Sequence, residues 1–548
     1  MILRRLYLYV VSAAALVLLA TGLTLLGTTV LLFVFNDPTA DSNRSQLAIF
    51  TAMTVVALPV WGVHFWFARR FAMRDPYERA AALRRLYLYW ACLAFAVATL
   101  IALGDAIAQF LLPVLDAQTF NSLVASQFTW AAIVFATIFG FHWWTASSDR
   151  AAAGEEGTSA TLRRWYMYPA LLIGLLTMLV AGATVFQIAW TDLALGSAQR
   201  YVYLSWPAGL AISGALVWGF HARVVATTHI GEDRHSTLRA LEGFLAVAVC
   251  MVAALIGASQ ILYYTLARLL GVSHPGGTSG NVWADAAGPA SQLIVFGVAW
   301  FLIQRRLARD AASQEADRQA GVRRLYTNLA TLVSLAVWAI GAGGLLWNLF
   351  EQLEAPVIGV RAGDWKDPVS LWFTLLVVGA AVWVAHWRPS PWAADRQSLS
   401  RKLYVWAALL GSILAVLGGG VGMINALLQQ LFSSKPTVQA ASNLDFGHYL
   451  AVIVVAAGVG AYHWRVLRAD AAARPARAAA QPPAARPAAV AAKAAEASAQ
   501  PEVLAPHSRR YTLVVTDATD DDVHQALSSL PPLASYKLTP TEQAVDGR

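Results

Sequence analysis

The sequence predicts an all-α integral membrane protein of about twelve transmembrane helices, arranged as six parallel helical-hairpin repeats and followed by a small cytosolic α+β C-terminal segment. Three observations carry that prediction. Of 548 residues, 57% are hydrophobic and only 13% charged, with a mean hydropathy of +0.52. Soluble chains carry about 25% charged residues, so this one has too little polar surface to cover a globule of its size. A basic, Tyr-containing motif recurs along the chain. Each copy opens an apolar run near or above the ~20 residues needed to span hydrocarbon.

The motif first appears as LRRLYLY at Leu3 to Tyr9, after a basic start that resembles a signal peptide. The same seven residues return at Leu83 to Tyr89, with LRRWYMY at Leu162, VRRLYTN at Val322, SRKLYVW at Ser400 and a degenerate LRALEGF at Leu238. An opening that recurs inside the chain marks a retained helix, and the period of about 80 residues marks an internal repeat. Each repeat continues with a long apolar run, a polar loop and a second run. That second run ends on a His motif: GVHFW at Gly62, GFHWW at Gly140, GFHA at Gly219, VAHW at Val384 and AYHW at Ala461. The fourth repeat has GVAW, with Ala299 in place of His.

The expected spans are 6–35, 46–67, 86–112, 123–145, 165–190, 203–226, 240–270, 288–304, 325–351, 369–387, 403–432 and 447–467, the eighth being marginally short. Hairpin repeats follow as 1–82, 83–160, 161–236, a degenerate 237–320, 321–398 and 399–468. Two spans per repeat give every repeat the same orientation. Most Arg and Lys lie between repeats, so the positive-inside rule places both termini in the cytoplasm of a bacterial inner membrane. The net charge of +8 is thereby read as a topology signal, without a nucleic-acid partner. After the last span, 469–507 is an Ala/Pro-rich linker. The segment 508–548 reads as strand, helix, strand from Tyr511 to Leu538, and is a candidate docking piece for a protein partner.

Two bands of residues are candidate sites. Arg4, Arg5, Tyr7, Arg84, Arg85, Tyr87, Arg163, Arg164, Tyr166, Arg323, Arg324, Tyr326, Arg401, Lys402 and Tyr404 form the basic-Tyr motif. Arg reaches phosphate and Tyr favours the membrane interface, so these read as interfacial anchors facing anionic headgroups on the cytoplasmic side. His64, His142, His221, His386 and His463 sit at the same depth. They read as hydrogen-bonding ties between helix ends, and alternatively as ligands for haem or bacteriochlorophyll. Asp105 and Gln109, with amides such as Gln187, Gln260, Asn348, Asn425 and Gln429, serve interhelical hydrogen bonds or line a solute path.

Glycines at 341, 343 and 344 and at 418, 419, 420 and 422 permit close helix approach. Two cysteines cannot build a disulfide framework or a Cys-based metal site, and no P-loop, dinucleotide, HExxH or GxSxG motif occurs. No cofactor and no enzymatic activity are expected. The functional reading is a structural or partner-binding membrane component, with a channel or transporter as the alternative and a tetrapyrrole-binding subunit as the third.

The repeated Arg-Arg-Leu-Tyr-x-Tyr opening with its long helix resembles a bacterial family of multi-pass membrane domains of unknown function. The resemblance covers roughly residues 1 to 468, best in repeats one, two, three, five and six. It implies an array of such helices in a bacterial inner membrane and assigns no functional residues.

Overall fold

The computed structural model describes residues 2–116, 118–196, 204–227, 236–311, 317–357, 363–387, 398–432 and 446–472. The chain divides into two units, Met1–Ala473 and Arg474–Arg548. The described residues all belong to the first. The expected strand-helix-strand piece at 508–548 and the linker from residue 473 on lie outside them, whereas 469–472, expected as the start of that linker, continue the last helix.

Among the described residues the first unit holds twelve long helices. They are α1 (Ile2–Val34), α2 (Arg44–Arg74), α3 (Ala82–Leu115), α4 (Ser122–Ala153), α5 (Gly157–Leu195) and α6 (Ser205–Thr227). Then follow α7 (Thr237–Leu269), α8 (Val282–Ala311), α9 (Asp317–Val357), α10 (Lys366–His386), α11 (Leu399–Phe432) and α12 (Phe446–Ala472). All twelve are long and apolar enough to cross a membrane. A one-turn helix, Pro76–Arg79, lies between α2 and α3.

Local chemistry sets the ends. Asn121 caps α4 by accepting from the Val124 amide at 3.1 Å, and Gly154 closes that helix at φ +70°. The eighth span begins six residues earlier than the apolar run alone indicates. Asn281 accepts from the Trp283 and Ala284 amides, so the helix starts before Pro289, which then falls in its second turn. The odd-numbered helices run 33 to 41 residues. At 1.5 Å per residue they are about 50 Å or longer, more than a ~30 Å hydrocarbon core needs.

Consecutive helices pack as hairpins: α1 on α2, α3 on α4, and so on to α11 on α12. Hairpins are then joined by one rule. Each odd helix packs on the even helix of the next hairpin, pairing α1 with α4, α3 with α6, α5 with α8, α7 with α10 and α9 with α12. Successive odd helices also touch. Among the described residues no substantial packing joins the first hairpin to the last, so the six hairpins form an open row.

Glycine permits the closest approach. A methyl group built on Gly174 of α5 meets the Trp218 amide nitrogen at 2.7 Å, and one on Gly214 of α6 meets the Met178 nitrogen at 2.7 Å. Of the glycines singled out above, Gly341 and Gly344 face α10 and Gly419 and Gly422 face α12, whereas Gly343, Gly418 and Gly420 face open space. Only one stripe of each run is used for packing.

Candidate functional site

The two repeated motifs meet at one end of the bundle. In repeats 1, 2, 3 and 6 the first Tyr of the odd helix reaches the His of its hairpin partner. The Tyr7 hydroxyl lies 3.2 Å from His64 Nε2, Tyr87 3.1 Å from His142, Tyr166 2.8 Å from His221 and Tyr404 2.8 Å from His463. In every case the other ring nitrogen, Nδ1, lies 2.7 to 2.8 Å from the carbonyl four residues back. A carbonyl only accepts, so Nδ1 carries the proton. In the neutral ring Nε2 then accepts from the Tyr O–H. Both nitrogens of these four imidazoles are engaged, and His142, His221 and His463 are buried.

Two of the pairs continue into the preceding hairpin. Trp61 Nε1 donates to the Tyr87 oxygen at 3.0 Å, and Trp383 Nε1 to the Tyr404 oxygen at 3.0 Å. Each Trp stands three residues before the His of its own repeat. A directed chain results, running from indole to phenol to imidazole to backbone carbonyl across two hairpins. Rings close around it: Phe65 lies 5.4 Å from Phe141, Trp143 5.4 Å from Phe220 and Trp387 4.7 Å from Tyr404.

Several basic residues of the motif pair with acids, two of them with an acid on the His helix of their own hairpin. Arg84 Nε is 2.6 Å from Asp149 and Arg401 Nε 2.8 Å from Asp470. Both acids stand seven residues after their His. Arg85 donates to the Ala146 and Gly154 carbonyls, and Arg163 pairs with Glu155, which also accepts from the Tyr89 hydroxyl. Arg84, Arg85, Arg163, Arg401, Tyr87, Tyr166 and Tyr404 are therefore buried within the row, although the sequence placed them toward headgroups. Arg164, Arg324, Lys402 and Tyr326 are half-buried, and Arg4, Tyr7 and Arg323 exposed. In repeat 1 the position seven after His is Phe71, and Arg4 stacks over it at 4.3 Å. Arg4 and Arg5 pair with Glu78 at 2.6 and 2.8 Å. Burial raises the Glu78 carboxyl, but the hydrogen bond from Arg5 and the two positive charges outweigh it and hold it below the ordinary range.

Repeats 4 and 5 depart from this geometry. In repeat 4 Glu242 stands for Tyr and Ala299 for His, and Arg306, seven residues after Ala299, reaches Glu242 at 3.4 Å. An ion pair of reversed polarity thus bridges the hairpin where the hydrogen bond is lost. In repeat 5 the Tyr326 hydroxyl turns to Met251 Sδ at 3.4 Å. His386 keeps its carbonyl contact to Val382 and meets Tyr326 only edge-on, at 6.2 Å between rings.

A second set of ties occupies the opposite end, always between an odd helix and the next hairpin's even helix. Trp130 Nε1 donates to the Leu23 carbonyl, Trp206 Nε1 to Asp105 at 2.9 Å, Trp190 Nε1 to the Trp283 carbonyl and the Tyr263 hydroxyl to Asp367 at 2.7 Å. Asp116 receives the Leu204 and Ser205 amides at the start of α6. Asp105 belongs to this series as an indole acceptor. Gln109 is half-buried one helical turn further along α3. Among the described residues no three His, Cys, Asp or Glu side chains converge as a metal site.

Asp149, Asp470 and the indoles Trp61 and Trp383 are not among the candidates that the repeated motifs single out. The signals were there: an acid seven after His in two repeats, and a Trp three before it in three.

Twelve apolar helices in hairpins make this a multi-pass α-helical membrane protein. Residues 5–132, 123–200 and 324–458 match a family described as a domain of unknown function, DUF5671, and the chain belongs to that family. The unmatched stretch between 200 and 324 contains the degenerate fourth repeat. Neither the curated proteins nor the solved structures gave a match.

Proposed function

We propose that the protein is a scaffold of the bacterial inner membrane, neither an enzyme nor a transporter, with its termini and inter-repeat loops in the cytoplasm. One observation carries this reading. The imidazoles and phenols that recur at one depth engage one another in four of the six hairpins, and both nitrogens of each of those imidazoles are engaged. A tetrapyrrole ligand at Nε2 has to displace the Tyr hydroxyl, and a solute path past Asp105 has to displace Trp206. In this reading the motif holds a row of helices in register. The segment 508–548, on the linker that precedes it, then acts as its arm toward a cytosolic protein.

Purified protein in sealed vesicles tests the proposal. Ion and small-solute efflux is expected to equal that of empty vesicles, and the visible spectrum to show no Soret or Q-type band. Saturable flux abolished by Asp105→Asn, or a stoichiometric tetrapyrrole lost with His221→Ala, overturns it.

A further inference from the structure

The two ends of the row differ in what they expose. Inside the row, the first Tyr of a repeat is enclosed by rings of the repeat before it. One ring comes from the second aromatic position of the preceding odd helix: Tyr9 lies 5.6 Å from Tyr87, and Tyr89 5.9 Å from Tyr166. The other comes from the residue after the preceding His: Phe65 is 6.0 Å from Tyr87, Trp143 6.0 Å from Tyr166 and Trp387 4.7 Å from Tyr404. Enclosed in this way, Tyr87, Tyr166 and Tyr404 are 4%, 1% and 2% exposed.

At the ends these same positions stand open. In repeat 6 they are Trp406 and Trp464, 58% and 49% exposed. In repeat 1 the Tyr to be enclosed is Tyr7, 59% exposed and already bonded to His64, beside Val63 at 50%. One end therefore carries the enclosing rings, and the other carries the ring to be enclosed. Both faces lie at the motif end of helices with the same orientation, so two copies inserted the same way present them at one depth.

We infer that copies of this chain associate end to end, Trp406 and Trp464 of one copy closing over Tyr7 of the next, in continuation of the interface that joins its own hairpins. Such a contact joins two different surfaces and leaves one of each free, so it propagates into short linear assemblies. The inference is independent of whether the row transports anything.

The test uses the full-length chain with Cys92→Ala and Cys250→Ala, treated in intact membranes with a short bis-maleimide. Tyr7→Cys and Trp464→Cys chains expressed together should give a cross-linked dimer, and each expressed alone should give none. A chain bearing both should give a ladder. A dimer from one variant alone, which reports a symmetric contact, overturns the inference. So does the absence of any dimer while the internal pair Trp387→Cys/Tyr404→Cys cross-links within its own chain. Because these replacements remove rings from the contact, native chains are also counted by single-molecule photobleaching in dilute vesicles. Several bleaching steps are expected, falling to one for Trp406→Ala/Trp464→Ala; a single step for the native chain contradicts the inference, and the two Trp are then interfacial anchors.

Discussion

At the residue scale, the Tyr and His of the motif do different work according to their burial. Tyr166 and His221 lie inside the row, whereas Tyr7 and His64 stand at its edge, where lipid or water takes up the loss of a partner. Interhelical hydrogen bonds in membranes average about 0.6 kcal/mol and reach about 1.7. A double-mutant cycle on Tyr166→Phe and His221→Ala, read by thermal unfolding in detergent, is expected to give a coupling in that range. The cycle on Tyr7 and His64 is expected to be smaller. Repeat 4 supplies the converse. Glu242→Tyr alone breaks the ion pair with Arg306 and leaves the new phenol without an imidazole, whereas adding Ala299→His rebuilds the pair used elsewhere, so the double variant should melt above Glu242→Tyr alone.

Glu78 gives the pH dependence. Its folded carboxyl is held below the ordinary range, so its contribution is present above the unfolded value near 4.3 and is lost as pH falls through the lower folded value. Glu78→Gln should therefore flatten the loss of stability below about pH 4, measured as melting temperature against pH.

At the scale of elements, the sequence was informative about which segments are helices and less so about where they end. Periods of apolar residue mark the hydrocarbon crossing, but helices continue into polar residues once a cap supplies their free amides, as Asn281 does for α8. The candidate site was legible in part for a related reason. Spacing along one helix exposed the Tyr and His motifs, yet the pairing of Arg84 with Asp149 spans 65 residues and depends on which helix faces which. Basic residues at helix starts read equally well as headgroup anchors until the fold supplies an acid. Glycine shows the same limit, since Gly419 and Gly420 are adjacent in sequence and only the first meets a neighbouring helix. Gly214→Ala is expected to separate α5 from α6 and lower the melting temperature, because its methyl group meets backbone that cannot swing away. Gly420→Ala, facing open space, should be neutral.

At the scale of the whole molecule, hairpins of one orientation are stitched twice. Tyr–His pairs tie four of the six hairpins at the motif end, and Trp and Tyr donors tie α1, α3, α5 and α7 to the next hairpin at the other end. Each hairpin depends chiefly on its neighbours, as in other repeat architectures, which explains how the degenerate fourth repeat is carried by those beside it. The positive-inside reading makes the motif end cytoplasmic. Alkaline phosphatase fused after Arg468 should be inactive and a fluorescent protein there bright; the reverse pattern inverts the topology. The register of the row is tested most directly by intrachain cross-linking in intact membranes. The pairs Thr28→Cys/Gln127→Cys, Trp190→Cys/Trp283→Cys and Tyr263→Cys/Asp367→Cys join α1 to α4, α5 to α8 and α7 to α10. All three should cross-link within one chain. Their failure, together with intrachain cross-linking of α1 to α12, would contradict the open row.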